Sequence, residues 1–174
     1  ALDHTDILVM SGSIPPGVPT DIYGRLIRLA NKKHVKTVLD AAGEPLFLGL
    51  LEKPYLIKPN TLEFEQAFQK ELADGMSTLE IARRVVKDGI PYICLSMGAD
   101  GAMLIDREHV YRARPLPLVP KGLTGAGDSM VAGMCRAIRR GLGSADMLRY
   151  AMASAGGSIR QEGTLLAEQK DVDE

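Results

Sequence analysis

The stretch Asp6-Ile-Leu-Val-Met-Ser-Gly-Ser13 decides how the chain is read. A short apolar run is closed by a polar turn containing glycine, which marks a buried strand. Pro15-Pro16-Gly17 then breaks the chain, and Tyr23, Leu26, Ile27 and Ala30 fall at helical spacing. The alternation continues outward from there. Thr37-Val-Leu-Asp40 is a second apolar run ending in an acid, Glu44 to Leu51 a short helix, and Tyr55-Leu-Ile-Lys58 a third strand stopped by Pro59. Asn60 to Lys70 reads as helix, and Ser77-Thr-Leu-Glu80 has capping-box spacing at the head of a helix reaching Lys87. Ile90 to Ser96 is a fourth strand. Strands alternating with helices over the first 96 residues define the α/β class, with a mainly parallel sheet carrying helices on both faces. In such sheets ligands sit beyond the carboxyl ends of the strands.

The second half adds a β-hairpin and two helices. Ala102 to Ile105 and His109 to Ala113 flank the polar turn Asp106-Arg107-Glu108, and Leu116 to Val119 extends the second arm. Ala126 to Arg140 is the longest helix, with Met130, Met134, Ala137 and Ile138 on one face and Gly141 as its stop. Ala145 to Ser158 follows, with Ser144 as N-cap, and the tail from Gln161 is polar. Met130, Met134, Met147 and Met152 read as core fillers. No linker or internal repeat divides the sequence, so residues 1–174 are expected to form a single domain.

Composition excludes several classes of function. The 174 residues carry a formal net charge of −1, with 45% hydrophobic and 25% charged residues. A balance so near zero lacks the basic footprint of a nucleic-acid binder. No apolar run reaches the roughly 20 residues of a membrane span, and the start Ala-Leu-Asp-His-Thr-Asp has neither the basic nor the apolar region of a signal peptide. Cys94 and Cys135 lie in apolar surroundings without a Cys or His at ligand spacing, and read as reduced, buried thiols of a cytoplasmic protein. His4, His34 and His109 sit among polar neighbours and read as surface residues.

The chemistry concentrates at Thr124-Gly125-Ala126-Gly127-Asp128, just ahead of the longest helix. Two glycines allow a tight turn and a close backbone approach to a ligand. The free amides of the helix start and its dipole favour negative charge there, which makes an anion hole. Asp128 lies in the first turn, where a carboxylate beside bound phosphate can accept the proton of an attacking alcohol. The bland alternative is a loop with an acid that stabilises the helix start.

The continuation settles which reading is followed. Gly125-Ala-Gly-Asp-Ser-Met-Val-Ala-Gly133 closely resembles the signature of ribokinase-like carbohydrate kinases of the phosphofructokinase B type, and most of all the branch acting on phosphorylated sugars. Three further segments resemble family motifs in the same order: Ser11-Gly-Ser-Ile-Pro-Pro-Gly17, Lys58-Pro-Asn60-Thr-Leu-Glu63 and Ser96-Met-Gly98-Ala-Asp-Gly101. Gly122 and Leu123 depart from the pattern, which usually has Asp or Ser and then Thr there.

The resemblance implies an ATP-dependent kinase with ATP and Mg2+ as cofactors. Asp128 would be the general base and Gly125, Ala126 and Gly127 the anion hole. Lys58, Asn60, Ser96, Gly98, Gly101 and Thr124 would border ATP, with Glu63 near magnesium, which keeps several waters and suits one such carboxylate. By themselves Asn60 and Glu63 read as a capping box, Lys58 as a solvated cation, and the 96–101 segment as a tight turn. The acceptor would be fructose 1-phosphate, fructose 6-phosphate or tagatose 6-phosphate. The alternatives are a kinase of an unphosphorylated sugar or nucleoside, and a nucleotide-binding fragment without activity. Family members run to about 300 residues by resemblance, so the N-terminal strands and the β lid are expected to lie outside this sequence. A sheet edge left open in this way predicts self-association.

Overall fold

The structure is a computed structural model, and it describes residues 2–115 and 117–161. Six strands make one mixed sheet whose order follows the chain: β1 (Ile7–Ser11), β2 (Lys36–Asp40), β3 (Leu56–Ile57), β4 (Tyr92–Ser96), β5 (Ala102–Ile105) and β6 (Val110–Ala113). The first four run parallel. Val9 lies beside Val38, Val38 beside Leu56, and Leu56 beside Tyr92. The helices are α1 (Ile22–Lys32), α2 (Gly43–Leu50), α3 (Thr61–Ala67), α4 (Gln69–Ala73), α5 (Thr78–Lys87), α6 (Ala126–Arg139) and α7 (Ser144–Ile159). The α/β class with a mainly parallel sheet and a hairpin is therefore present. The chain folds as two compact units, one of Ala1–Leu95 with Ile105–Val110 and the other of Ser96–Leu104 with Tyr111–Glu174.

In the first unit the core is aliphatic. Val38, Leu39, Leu56, Ile57 and Ile93 on the strands are fully buried, as are Ile27 of α1 and Ile81 of α5. The helix α1 approaches α2 closely because Gly24 has no side chain: a β-carbon there would lie 3.1 Å from the Leu48 carbonyl oxygen. Ser77 caps α5 as its spacing predicts, accepting from the Glu80 amide at 3.3 Å while Glu80 accepts from the Ser77 amide at 2.8 Å. Those bonds hold the Glu80 carboxyl below the usual carboxylate range. At the hairpin turn, Asp106 Oδ1 accepts from the amides of Glu108 and His109, the local bonding that suits Asp to turns.

In the second unit α6 and α7 pack at very short range. A β-carbon on Gly133 would stand 2.4 Å from the Tyr150 carbonyl oxygen and 2.6 Å from Ser154 Oγ, so only glycine lets the two backbones meet. Met130, Met134, Ala137 and Ile138 are buried on the face their spacing predicts, and Met147 is buried opposite them on α7. Gly141 ends α6 with a left-handed φ of 66°, and the Leu142 amide donates to the Ala137 carbonyl.

Several elements differ from the sequence reading. Of β1 only Met10 is buried and Val9 is 43% exposed, because β1 is the edge strand and meets a neighbour on one side. Strand β3 shrinks to Leu56–Ile57: at its start the Tyr55 amide donates to the Thr37 hydroxyl at 3.1 Å instead of to a backbone carbonyl, and after Lys58 comes Pro59, which has no amide to give. The helix expected over Asn60 to Lys70 breaks at Phe68, whose non-helical ψ of 32° separates α3 from α4. Phe68 turns inward there and packs on Phe64, ring centroids 4.7 Å apart. The N-cap of α7 is Gly143, with Ser144 already helical. Residues 117–119 form no strand, the prolines at 115, 117 and 120 being unable to donate. Leu116 and residues 162–174, including most of the polar tail, lie outside the described residues. Met152 and Cys135 are half-buried rather than buried.

Candidate active site

In the first unit the carboxyl ends of β1, β2 and β3 bring three side chains together. Asp40 closes β2, and its carboxylate lies 3.0 Å from the Lys58 ammonium. The Ser11 hydroxyl at the end of β1 donates to Asp40 Oδ2 at 3.4 Å. The register explains the meeting: Ser11 lies beside Asp40, and the Lys58 amide donates to the Leu39 carbonyl. Lys58 is only 4% exposed, so it is not the solvated cation of the simpler reading. Asp40 belongs to this cluster although no motif marks it in the sequence. Its signal was present, an acid at the end of an apolar run, but its partner depends on strand register.

Asn60 and Glu63 form a reciprocal capping box at the start of α3. The Glu63 amide donates to Asn60 Oδ1 at 2.8 Å, and the Asn60 amide donates to Glu63 Oε2 at 2.9 Å. This box orients the Glu63 carboxylate, half-buried, at the helix start that follows β3. A carboxylate has about four acceptor positions, so the cap leaves capacity on Glu63 for a water of a hydrated cation. Among the described residues no group of three or more His, Cys, Asp and Glu side chains gathers as a metal cage. Magnesium held by one carboxylate, waters and phosphates needs no such cage, so Glu63 fits it.

In the second unit two glycine turns carry the remaining candidates. Ser96 ends β4, and a single 3-10 turn over Gly98–Asp100 follows. Gly98 and Gly101 have φ of 55° and 90°, and the Met97 amide donates to the Gly101 carbonyl. A β-carbon on Gly101 would stand 2.1 Å from the Ala113 carbonyl oxygen, which only glycine accommodates.

The second turn opens α6. Gly125 is its N-cap, left-handed at φ 80°, and the first bond of the helix ladder runs from the Ser129 amide to the Gly125 carbonyl. The Ala126 amide makes a long 3.4 Å bond to the Leu123 carbonyl. Ahead of the ladder lie the amides of Gly127 and Asp128, the groups a helix start presents to an anion. Asp128 is in the first turn of α6 and exposed, and Thr124 beside the turn is exposed too. The Lys121 amide donates to the Ile159 carbonyl at 2.8 Å, which ties the approach to the turn onto the end of α7.

Neither thiol belongs to this chemistry. Burial pushes Cys94 up to about 12 and Cys135 up to about 11, so both are poor nucleophiles.

A mainly parallel α/β sheet with a glycine turn opening a long helix is the arrangement of the ribokinase-like class. The likeness reaches solved structures of low sequence identity: the ribokinase of Thermotoga maritima is 16% identical with a TM-score of 0.80 over 99% of this chain, which speaks for the fold alone. The family model for pfkB family carbohydrate kinases matches residues 1–171, and the chain belongs to that family. It is 32% identical to the 1-phosphofructokinase of Bacillus subtilis over 166 residues, which is 93% of this chain and 54% of that protein. It is 31% identical to the ATP-dependent 6-phosphofructokinase isozyme 2 of Escherichia coli, over 95% of this chain and 54% of that one. The crystal structure of Escherichia coli phosphofructokinase-2 with substrates and products superposes with a TM-score of 0.88 at 31% identity, over 96% of this chain and 55% of that one. The chain thus spans about half the length of the curated relatives it matches.

Proposed function

We propose that this chain carries the ATP side of a sugar-phosphate kinase, with residues 1–174 as the ATP-binding portion of a ribokinase-like domain. The observation that carries the reading is the Gly125 turn: a left-handed glycine at the head of α6, with Asp128 in the helix's first turn. Asp128 takes the proton of the sugar hydroxyl, the alkoxide oxygen forms a bond to the γ-phosphorus of ATP, and the bond to ADP breaks. Gly125, Ala126 and Gly127 supply the turn whose amides meet the charge that develops on the phosphoryl oxygens. Magnesium, when bound, neutralises phosphate charge. Glu63 would hold it through water, and Lys58, Asn60, Ser96, Gly98, Gly101 and Thr124 would border ATP.

The relatives are phosphofructokinases by name, so the acceptor proposed is fructose 1-phosphate, fructose 6-phosphate or tagatose 6-phosphate. Self-association is proposed on two grounds: β1 is an edge strand, and a relative 30% identical with a TM-score of 0.87 has a tetrameric inhibited form. No helix among the described residues is long and apolar enough to cross a membrane. Two free thiols fit a reducing cytoplasm, which we propose as the location.

The test is ATP turnover with each sugar phosphate. Asp128→Ala is expected to lower kcat by about 10²- to 10⁴-fold, the usual share of general-base help. Full activity in that variant overturns the mechanism.

A further inference from the structure

Ser158, in the last turn of α7, is a buried hydroxyl without a stated task. It is 4% exposed, and Oγ has no hydrogen-bond partner among the described residues. Its own carbonyl is used, accepting from the Gln161 amide at 3.0 Å, so the orphan is the side chain alone. An unpartnered buried hydroxyl carries an uncompensated desolvation cost and calls for an explanation.

Its surroundings supply one. A β-carbon built on Gly125 has Ser158 Oγ at 3.9 Å, and no other heavy atom within 4 Å outside the adjoining residues. The inner side of the anion turn therefore faces a small gap bounded by this hydroxyl. The turn is held firmly at two points, the Lys121 amide bonded to the Ile159 carbonyl at 2.8 Å and the helix ladder that begins at Ser129, and between them only by the long bonds from Gly122 to Ile159 at 3.5 Å and from Ala126 to Leu123 at 3.4 Å. Between them Leu123 is 74% exposed and Thr124 is exposed, so little packing holds the intervening backbone.

We propose that Ser158 is a positioning residue for the anion turn. When the amides of the turn receive a polyphosphate, the 122–125 backbone settles toward α7 and one of its carbonyls accepts the Ser158 hydroxyl hydrogen. In a trans peptide the carbonyl and the following N–H point in opposite directions. A carbonyl held inward by Ser158 thus turns the next N–H outward to the anion, and polarises it as bonds in series do. The inference rests on the nucleotide reading given above.

The test uses the full chain with two probes, ATP and inorganic tripolyphosphate, measured by calorimetry on the wild type, Ser158→Ala and Ser158→Thr. Ser158→Ala is expected to bind both about fivefold to tenfold more weakly, the worth of one neutral hydrogen bond. Ser158→Thr, which keeps the hydroxyl, stays within about twofold of the wild type. Without ligand, Ser158→Ala unfolds at the same temperature as the wild type or higher, because it removes an orphan. Unchanged affinity in Ser158→Ala overturns the inference, as does equal weakening in Ser158→Thr. A lower ligand-free Tm for Ser158→Ala also overturns it, since the hydroxyl then has a partner in the resting chain. Failure of the wild type to bind ATP overturns the nucleotide reading, and this inference with it.

Discussion

Lys58 and Asp40 face each other at 3.0 Å with side chains 6% and 15% exposed. Two charges withdrawn from water together gain little over an apolar pair, but removing one of them strands the other. Asp40→Ala is therefore expected to destabilise the chain by about 3 kcal/mol in urea titration, whereas Lys58→Met with Asp40→Leu recovers most of that loss. A loss below about 1 kcal/mol in the single variant means that water reaches the ammonium. Asp40 stood out in the sequence as an acid closing an apolar run, and Lys58 as the last residue of a strand stopped by Pro59. Their pairing did not, because it depends on which strands lie side by side. Gly125 was easier to read: two glycines just ahead of a long helix mark a tight turn, and Gly125 takes a φ of 80° there at no steric cost. Ser158 left no signal at all, since a serine in a run of small helical residues reads as filler.

At the scale of elements, the start of α3 serves two ends. Its capping box fixes the helix, and the same Glu63 carboxylate is the proposed contact to hydrated magnesium. A capping box accepts Gln as well as Glu at the third position, which allows the two roles to be separated. Glu63→Gln is expected to change stability by less than about 0.5 kcal/mol while lowering Mg-ATP affinity measured by calorimetry. Equal affinity in the variant confines Glu63 to the cap. Elements with a local signature were legible in advance. The Ser77 cap, the Gly141 stop and the buried stripe of α6 are written in residues three or four apart. The break at Phe68 was not, because it answers to Phe64 and the core rather than to a Gly or Pro. The short span of β3 was not legible either, because the Tyr55 amide is taken by the Thr37 hydroxyl, a partner eighteen residues away on the neighbouring strand.

For the whole molecule, the two thiols set an alkaline limit. Their native values are raised, to about 12 for Cys94 and about 11 for Cys135, from an ordinary value of 9.0. Burial is the first cause for both. In the unfolded chain each thiol ionises near 9, so the unfolded state releases protons that the native state keeps. Their contribution to stability is complete below about pH 8 and falls as the pH rises from about 9 toward 12. Urea titrations at stepped pH check the slope. A flat stability to pH 11 means the thiols ionise in place.

The Asp40–Lys58 pair also bears on the order in which the chain assembles. The ammonium reaches its partner only when the two-residue β3 has aligned with β2, and until that moment both charges keep their full hydration. Loss of their water and docking of the short strand are then one event, and it is expected to follow the folding barrier. In stopped-flow chevrons, Asp40→Ala is expected to accelerate unfolding far more than it slows folding. A loss carried mainly by slower folding, with unfolding hardly changed, places strand docking before the barrier and overturns this order. A contact described as an ion pair is, on this view, the latch that closes last and opens first.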